Sequence, residues 1–376
     1  MKRIIFMCAA LLLATSQLLA GGKLDLKSIT SGHFQGERLA EVKPLADGET
    51  YAQISRDGKQ IIKYSFKTGK QVAVLFDVAT VRGDVIPRID GYIMSPDGRR
   101  MLIQTNTKPV YRRSYTAEYY IFSIENNKME PLSKGGPQQT PLFSPDGQQI
   151  AFVRDNNIHL VKLLYDNAES QVTKDGKWNE IINGIPDWVN EEEFSFNRAF
   201  DFNADGTMLA WIRYDESQVP LYSFPWFKGM YPEKTQYADY PGTYNYKYPI
   251  AGQPNSVVKV MTFDIKSRAI REMQLPIPAD GYIPRIHFTD DPLKLLVFTQ
   301  NRHQNQLDIY IANPRSTECR IIVRDQAEHY ITEEPYKNIS LHPGGFVLMS
   351  ERSGFNHLYL YDLNGTMKRQ LTTGNF

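Results

Sequence analysis

Met94-Ser95-Pro96-Asp97-Gly98 is followed almost at once by the apolar run Met101-Leu102-Ile103, and this arrangement recurs along the chain. Pro and Asp-Gly are the residues that tight turns between antiparallel strands require, and short apolar runs on either side are typical of strands. Other close copies have their turns at Asp57-Gly58, Asp146-Gly147 and Asp205-Gly206, and looser copies lie at 288–291 and 341–345. The stretch therefore predicts a repeated strand–turn–strand unit.

A second strand pair follows these copies. The pairs read most clearly at residues 119–124 with 130–132, at 258–265 with 269–273, and at 359–363 before Asn364-Gly365. Four strands per unit and Asp-Gly spacings of roughly 40 to 60 residues are typical of propeller blades. We therefore predict an all-β fold, a β-propeller of four-stranded blades over residues 51–376. Helix signals are nearly absent, although residues 24–31 favour one short helix.

The first twenty residues are typical of a secretory signal peptide. Lys2 and Arg3 precede an apolar run that is too short to span a bilayer. An uncleaved membrane anchor is the competing interpretation. Residues 21–50 form an N-terminal segment ahead of the propeller, and no later stretch approaches transmembrane length. The sequence therefore predicts an exported protein, periplasmic, cell-surface or secreted, with no membrane span after signal cleavage.

Composition excludes several classes of function. The chain carries 43 basic and 42 acidic residues without a basic stripe, which argues against a nucleic-acid partner. Cys319 is the only cysteine after the signal, so no intrachain disulfide is expected. The seven histidines lack metal-ligand spacing, and no EF-hand loop or glycine-rich phosphate loop occurs. With no Gly-x-Ser-x-Gly elbow either, the sequence predicts binding chemistry without metal, cofactor or catalytic residues.

Asp187-Trp188-Val189-Asn190-Glu191-Glu192-Glu193-Phe194 lies in a segment, 176–200, that we expect to separate two blades. Its apolar flanks draw the backbone inward, and sheltered like charges are unfavourable unless a cation offsets them. The stretch is therefore a candidate site for a ligand's ammonium group or a metal ion; a solvated charged turn is the alternative. Two adjacent glutamates can reach one ammonium only from a helical turn or bulge, because strand neighbours face opposite ways.

A second interruption of the repeat spans residues 214–255 and is rich in Tyr and Pro. A loop of that length in a compact domain is usually functional or an interaction arm. Its aromatic residues favour either a homodimer interface or a cover over the propeller mouth. An insertion without a role is the third alternative.

The glutamate stretch resembles the glutamate motif in the propeller domain of dipeptidyl peptidase IV, which belongs to the prolyl oligopeptidase family. Residues 111–119, Tyr-Arg-Arg-Ser-Tyr-Thr-Ala-Glu-Tyr, resemble the segment around that family's substrate-contacting arginine, which matches Arg112. Residues 152–158, 214–220, 246–252 and 280–285 are also similar, so that the resemblance, to bacterial secreted members, covers nearly all of the chain after the signal. One departure is Asn190, where the family usually has Tyr.

The resemblance implies an eight-bladed propeller in which Glu192 and Glu193 bind the N-terminal ammonium of a peptide substrate. Glu191 is then an outward or supporting charge, while Arg112 offsets the negative cluster and donates to a substrate carbonyl. The implied activity is a serine exopeptidase that removes N-terminal dipeptides of the Xaa-Pro type from peptides with a free N-terminus.

In the family, a C-terminal α/β-hydrolase domain supplies the catalytic Ser, Asp and His. Residues 1–376 contain no such domain, so we expect an incomplete propeller and no peptidase activity from this chain alone. The alternative is a stand-alone periplasmic propeller that binds peptides or a protein partner without catalysis.

Overall fold

The computed structural model describes residues 24–36, 41–227 and 240–376. The predicted signal peptide, residues 1–20, lies outside these ranges, so both the signal and the export that it implies stay predictions. No helix in the described ranges is long and apolar enough to cross a membrane. The chain divides into two units, 1–43 and 44–376. The first unit contains the short helix α1 (Leu26–Thr30), which lies within the predicted range 24–31 and is capped by Asp25.

Six sheets of four or five strands follow one another along the chain. The first contains β1 (Lys43–Pro44), β2 (Thr50–Ile54), β3 (Gln60–Ser65) and β4 (Gln71–Asp77). The second contains β5 (Arg82–Gly83), β6 (Gly91–Met94), β7 (Arg100–Pro109), β8 (Tyr115–Ser123) and β9 (Lys128–Pro131), in the order β5-β9-β8-β7-β6. The third contains β10 (Gln139–Phe143), β11 (Gln149–Arg154), β12 (Asn157–Lys162) and β13 (Ala168–Gln171).

Among the remaining three sheets, the fourth contains two short strands that pair with the same neighbouring strand. The fourth contains β14 (Ile181–Asn183), β15 (Phe200–Phe202), β16 (Met208–Asp215), β19 (Val257–Asp264) and β20 (Ala269–Glu272). Strands β17 (Leu221–Trp226) and β18 (Gly242–Lys247) form a separate hairpin. The fifth contains β21 (Tyr282–Phe288), β22 (Leu295–Gln300), β23 (Gln306–Ala312) and β24 (Cys319–Gln326). The sixth contains β25 (Ser340–His342), β26 (Gly345–Ser350), β27 (His357–Asp362) and β28 (Met367–Gln370).

This series of sheets confirms the prediction of an all-β propeller with four-stranded blades. The predicted second strand pairs correspond to β8–β9, β19–β20 and β27–β28. The described residues form six blades, whereas the eight implied by the resemblance stay an expectation. Within the described ranges helices are few, as predicted: besides α1, these ranges contain α2 (Trp188–Phe194), α3 (Glu334–Lys337) and a single 3-10 turn, Leu163–Tyr165.

The recurrent Asp-Gly turns join β2 to β3, β6 to β7, β10 to β11 and β15 to β16. Gly58, Gly98, Gly147 and Gly206 have φ values of 70°, 68°, 68° and 69°, a region that glycine adopts without steric cost. In the turn at Asp97, the Ser95 hydroxyl donates to Asp97 at 2.6 Å and accepts the Arg100 N–H at 2.9 Å. Each turn is therefore specified by residues within five positions of one another.

The core lies between neighbouring blades. One cluster joins β3 and β4 to β6, β7 and β8, and includes Ile61, Phe76 and Phe122. Another joins the fifth and sixth sheets and includes Phe298, Phe346 and Phe194. Because Phe194 belongs to α2, the glutamate stretch is fixed by the same apolar packing that joins two blades.

The expectation that residues 176–200 separate two blades is wrong. Strand β14 pairs with residues 213–215 of β16, and β15 pairs with residues 209–211 of the same strand. They are two halves of one interrupted edge strand, and α2 leaves the fourth sheet between them. The expectation failed because a three-residue strand such as β14 carries too weak a periodic signal to be recognised.

Candidate functional site

The excursion that carries the glutamates is closed at its base by backbone hydrogen bonds. The Ala199 N–H donates to the Gly184 carbonyl at 2.8 Å. The Ile212 carbonyl of β16 accepts from the Gly184 N–H at 3.2 Å, and the Ile212 N–H donates to the Ala199 carbonyl at 2.8 Å. Gly184 has φ +80°, and a Cβ there would lie 3.0–3.1 Å from side-chain atoms of Val153 and Ile158. The residues between Gly184 and Ala199 therefore leave the sheet and return to it at a fixed point.

Helix α2 is bounded at both ends by side chains that the sequence supplies locally. The Asp187 carboxylate accepts the Asn190 N–H at 2.8 Å and so caps the N-terminus. Ser195 ends the helix in the left-handed conformation, with φ 58°. An N-cap of this kind contributes about 1 kcal/mol to helix stability. Of the two conformations that would let adjacent glutamates reach one ammonium, a helical turn or a bulge, the structure shows the helical turn.

The helix directs its residues to different environments because successive positions differ by about 100°. Phe194 is fully buried, with edge-to-face contacts to Tyr282 at 5.3 Å and Tyr336 at 5.7 Å. Glu191 is 1% exposed. The Glu192 side chain is 25% exposed, and Glu193 faces solvent. The two glutamates assigned to the ligand are thus the two that remain accessible.

Arg112 lies in the turn between β7 and β8 of the second blade and reaches across to the helix. Its Nε lies 2.9 Å from one carboxylate oxygen of Glu192 and 2.8 Å from the other. The arginine side chain is 70% exposed, so this ion pair adds little to stability by itself. The structure therefore brings Arg112 and Glu192 into direct contact across 80 positions of sequence.

Further bonds tie the Arg112 turn to the same segment. The Arg113 and Ser114 N–H groups donate to one carboxylate oxygen of Glu191, at 2.7 and 2.8 Å. The Arg113 carbonyl accepts from the Asn197 amide at 2.8 Å, and its guanidinium donates to the Ser195 hydroxyl at 2.9 Å. Of the two roles expected for Glu191, the structure assigns the supporting one.

Tyr330, which follows β24, interacts electrostatically with Glu193. Burial, together with the charges of Glu193 and Glu333, raises the pKa of its phenol. Tyr330 also lines a cavity of about 490 Å³ with Ile331, Pro335 and Arg352. Glu193 thus lies close enough to the Tyr330 phenol to raise its pKa, while Glu192 contacts a guanidinium.

The tyrosine-rich segment, the hairpin β17–β18, packs its aromatic side chains against the site. Trp188 of α2 contacts Tyr248 at 4.5 Å and Tyr246 at 6.1 Å between ring centroids. Tyr111, next to Arg112, contacts Tyr246 at 5.9 Å. The segment therefore supports both the glutamate helix and the arginine turn.

Buried acidic groups lie beneath the helix. Asp187 is 5% exposed and accepts a hydrogen bond from the Ser256 hydroxyl, and Glu216 is 6% exposed. Burial, followed by the nearby charge of Asp187, raises the pKa of Glu216 to about 8. In the described part of the chain, no group of three or more His, Cys, Asp or Glu residues has the geometry to hold a metal ion.

Sequence reasoning identified three of the residues that meet here and missed others. Arg112, Glu192 and Glu193 were singled out from the resemblance; their binding role stays a prediction. Tyr330, Ser195 and Asn197 were missed because no local pattern marks them. Ser195 and Asn197 are recognised only through their hydrogen bonds to the distant Arg113, and Tyr330 only through its electrostatic interaction with Glu193.

Comparison with known proteins extends over most of the chain. Residues 95–376 match the sequence model of a family described as the dipeptidyl peptidase IV (DPP IV) N-terminal region. The crystal structure of Porphyromonas gingivalis dipeptidyl peptidase 4 is similar, with a TM-score of 0.89 and 39% sequence identity; the match covers 94% of this chain and 50% of that one. The probable dipeptidyl-aminopeptidase B of Emericella nidulans is 32% identical over 403 residues, which cover 95% of this chain and 42% of that protein.

Dipeptidyl peptidase 4 of Trichophyton equinum is 29% identical over 353 residues, which cover 90% of this chain and 43% of that protein. The chain thus spans about half the length, or less, of these relatives. The family match covers well over half of the chain and coincides with the blades that carry Arg112 and the glutamates. The chain belongs to the dipeptidyl peptidase IV N-terminal-region family.

Proposed function

We propose that this chain is the peptide-anchoring part of an exported serine-type dipeptidyl peptidase. Glu192 and Glu193 bind the N-terminal ammonium of the peptide, and Arg112 donates to its first carbonyl group. The observation that carries the proposal is the contact between Arg112 and Glu192, beside an accessible Glu193.

The charges of this group match a single ammonium. Glu192 and Glu193 contribute two negative charges and Arg112 one positive charge, which leaves one negative charge for a ligand to balance. An ammonium has three N–H donors, and each carboxylate offers about four lone-pair sites, so Glu192 keeps accepting capacity beside Arg112. Charge-assisted bonds of this kind are stronger than neutral ones.

Arg112 also keeps donors for the ligand. Its hydrogen bond to Glu192 is donated by Nε, and among the described residues none accepts a hydrogen bond from its Nη groups. A guanidinium has five N–H donors in one plane, so the same side chain can meet a carboxylate on one edge and a peptide carbonyl on another. This geometry favours a peptide over a simple amine as the ligand.

Anchoring the N-terminus explains how a dipeptidyl peptidase counts residues. When the ammonium is fixed, the bond after the second residue lies at a set distance from the glutamates, and orientation of this kind lowers the barrier to reaction. The preference for Xaa-Pro follows from the resemblance. Cleavage requires an activated nucleophile, and residues 1–376 contain no Gly-x-Ser-x-Gly elbow to supply one.

Binding of Ala-Pro amide and of N-acetyl-Ala-Pro amide to the purified chain, followed by NMR, tests the proposal. The free peptide should bind and the acetylated one should not, because acetylation removes the positive charge. Glu192→Gln and Glu193→Gln keep the side-chain shape but remove a charge, and each should weaken binding of the free peptide by about 2–5 kcal/mol.

Glu272→Gln is the matched control, since this glutamate also pairs with a cation, Lys259, but lies on the outer strand of the fourth blade. Its affinity for the free peptide should equal that of the wild type. Equal binding of the free and acetylated peptides would sink the proposal.

We further propose that the hairpin mediates association with a second copy of the chain. Its strand β17 exposes Leu221 (57%), Tyr222 (43%) and Phe224 (36%), and contiguous exposed apolar side chains mark interaction surfaces. Analytical ultracentrifugation should show a dimer that Leu221→Lys dissociates, whereas Leu293→Lys, at an exposed leucine of the fifth blade, should not. A monomeric wild type at high concentration contradicts this proposal.

A further inference from the structure

The first glutamate of the stretch differs from the two that follow it. Glu191 is 1% exposed, and its Oε2 atom is buried without a hydrogen-bond partner among the described residues. A buried carboxylate that is only half satisfied costs free energy, and a well-packed apolar residue of similar volume often serves stability as well or better. Stability of the blade alone therefore gives little reason for a carboxylate at this position.

The other carboxylate oxygen of Glu191 has hydrogen-bond partners, and these partners indicate a specific role for the side chain. Its Oε1 accepts two backbone N–H groups, from Arg113 at 2.7 Å and from Ser114 at 2.8 Å. These are the two residues that directly follow Arg112. Both bonds are charge-assisted, and together they fix the backbone of the turn against the helix rather than fixing the helix itself.

The remaining bonds to the turn cannot replace this anchor. The turn closes on itself through the Val110 N–H and the Ser114 carbonyl at 2.9 Å, which sets its shape but not its position on the helix. Asn197 reaches the Arg113 carbonyl, and Ser195 reaches the Arg113 guanidinium, but both bonds involve groups that are partly exposed. The buried contact between the turn backbone and α2 is made by Glu191.

We propose that Glu191 is a positioning residue that holds the β7–β8 turn against α2, so that Arg112 meets Glu192 and both face one peptide N-terminus. This inference rests on the proposed function of Glu192 and Glu193. The three consecutive glutamates then have different roles. Buried Glu191 positions Arg112 by binding the backbone of its turn, and the accessible Glu192 and Glu193 bind the ligand.

Residue-resolved amide hydrogen exchange of the whole chain reads this anchor without any ligand. In the wild type, the Arg113 and Ser114 amides should exchange slowly, whereas the Arg112 amide, which has no acceptor among the described residues, should exchange fast. Glu191→Ala should accelerate the Arg113 and Ser114 amides by at least about tenfold, since each loses a bond to a charged group. Glu191→Gln keeps one acceptor oxygen and should retain most of the protection.

Glu193→Ala is the matched control for exchange, because it removes the same kind of side chain from the same helix without touching the turn. It should leave both amides protected. Wild-type amides of Arg113 and Ser114 that exchange as fast as that of Arg112 would overturn the inference, and this measurement stands even if Glu191→Ala does not fold.

A double-mutant cycle with Ala-Pro amide connects the anchor to binding. Glu191→Ala should weaken binding by about tenfold in the wild-type background but very little in an Arg112→Ala background, because its effect passes through Arg112. Equal effects in both backgrounds contradict positioning. If no variant and not even the wild type binds the free peptide, the proposed function fails, while the exchange result still decides whether Glu191 holds the turn.

Discussion

The Ser-Pro-Asp-Gly turns and the glutamate helix both hold polar side chains in place at the end of a strand. The turns do so with local hydrogen bonds, and the helix does so with hydrogen bonds to distant residues. In the turn at Asp97, every side-chain bond joins residues at most five positions apart. In the glutamate segment, Glu191 and Glu192 bond to residues 77 to 80 positions away. The turns are therefore specified within one blade, whereas the glutamates of the helix gain these contacts only when the second and fourth blades are both in place.

The difference has a consequence for stability and function. A turn repeated in several blades can lose one bond while the other copies still form. The contacts of the helix occur once, and each of them either supports the helix or orients a group at the candidate site. Changes in the turns should therefore lower stability without altering binding, while changes around the helix should alter both.

Phe194→Ala tests this contrast most strongly. The side chain is fully buried and joins α2 to Tyr282 and Tyr336. Removal of a buried aromatic ring typically costs 3–5 kcal/mol, so we expect a loss of about that size in urea unfolding, together with loss of peptide binding. Phe355→Ala, at a side chain that is 41% exposed, is the control. A strongly destabilised Phe194→Ala protein that binds Ala-Pro amide normally would break the contrast.

Glu216, buried beneath the helix, should make the stability of the protein depend on pH. Burial, followed by the charge of Asp187, raises its pKa from 4.5 to about 8, so the folded state holds a proton that the unfolded state has released. Stability should therefore fall as pH rises from about 5 to 8, by at most about 1.4 kcal/mol per pH unit from this group.

Glu216→Gln mimics the protonated form and should remove this part of the pH dependence. The variant should gain on the order of 2–4 kcal/mol relative to the wild type between pH 5 and pH 8, measured as the difference in unfolding free energy. Glu351→Gln, at an exposed glutamate, should run parallel to the wild type. Parallel curves for Glu216→Gln as well would show that burial and the charge of Asp187 do not raise the pKa of Glu216 as described.

Ser95→Ala should have the smallest effect. It removes the hydroxyl that donates to Asp97 and accepts from the Arg100 N–H, worth about 0.5–1.5 kcal/mol in total. Ser144→Ala removes the equivalent bonds to Asp146 and Gln149 and should cost a similar amount. Neither change should alter affinity for Ala-Pro amide, and an altered affinity would show that the turns and the site are coupled.

The same contrast explains what the sequence could predict. The Asp-Gly turns were predicted because each places its glycine and its bonding partners side by side, as at Asp146-Gly147. A helical turn or a bulge was also expected for the glutamate stretch if two adjacent carboxylates are to meet one ammonium, and the structure shows the helical turn.

The split edge strand and the anchor at Glu191 could not be predicted in this way. Strands β14 and β15 are short, and only their common partner β16 shows that they belong to one sheet. The partners of Glu191 are backbone N–H groups, which every residue except proline possesses, so no side-chain pattern marks them. The contacts between Trp188 and the hairpin tyrosines are likewise a product of packing between distant segments.

A crystal structure of the chain with Ala-Pro amide tests the central claim most directly. We predict that the peptide nitrogen lies within about 2.7–3.2 Å of carboxylate oxygens of both Glu192 and Glu193, and that an Nη group of Arg112 meets the first peptide carbonyl. A saturating peptide whose ammonium binds elsewhere, with solvent at the two glutamates, would contradict the account.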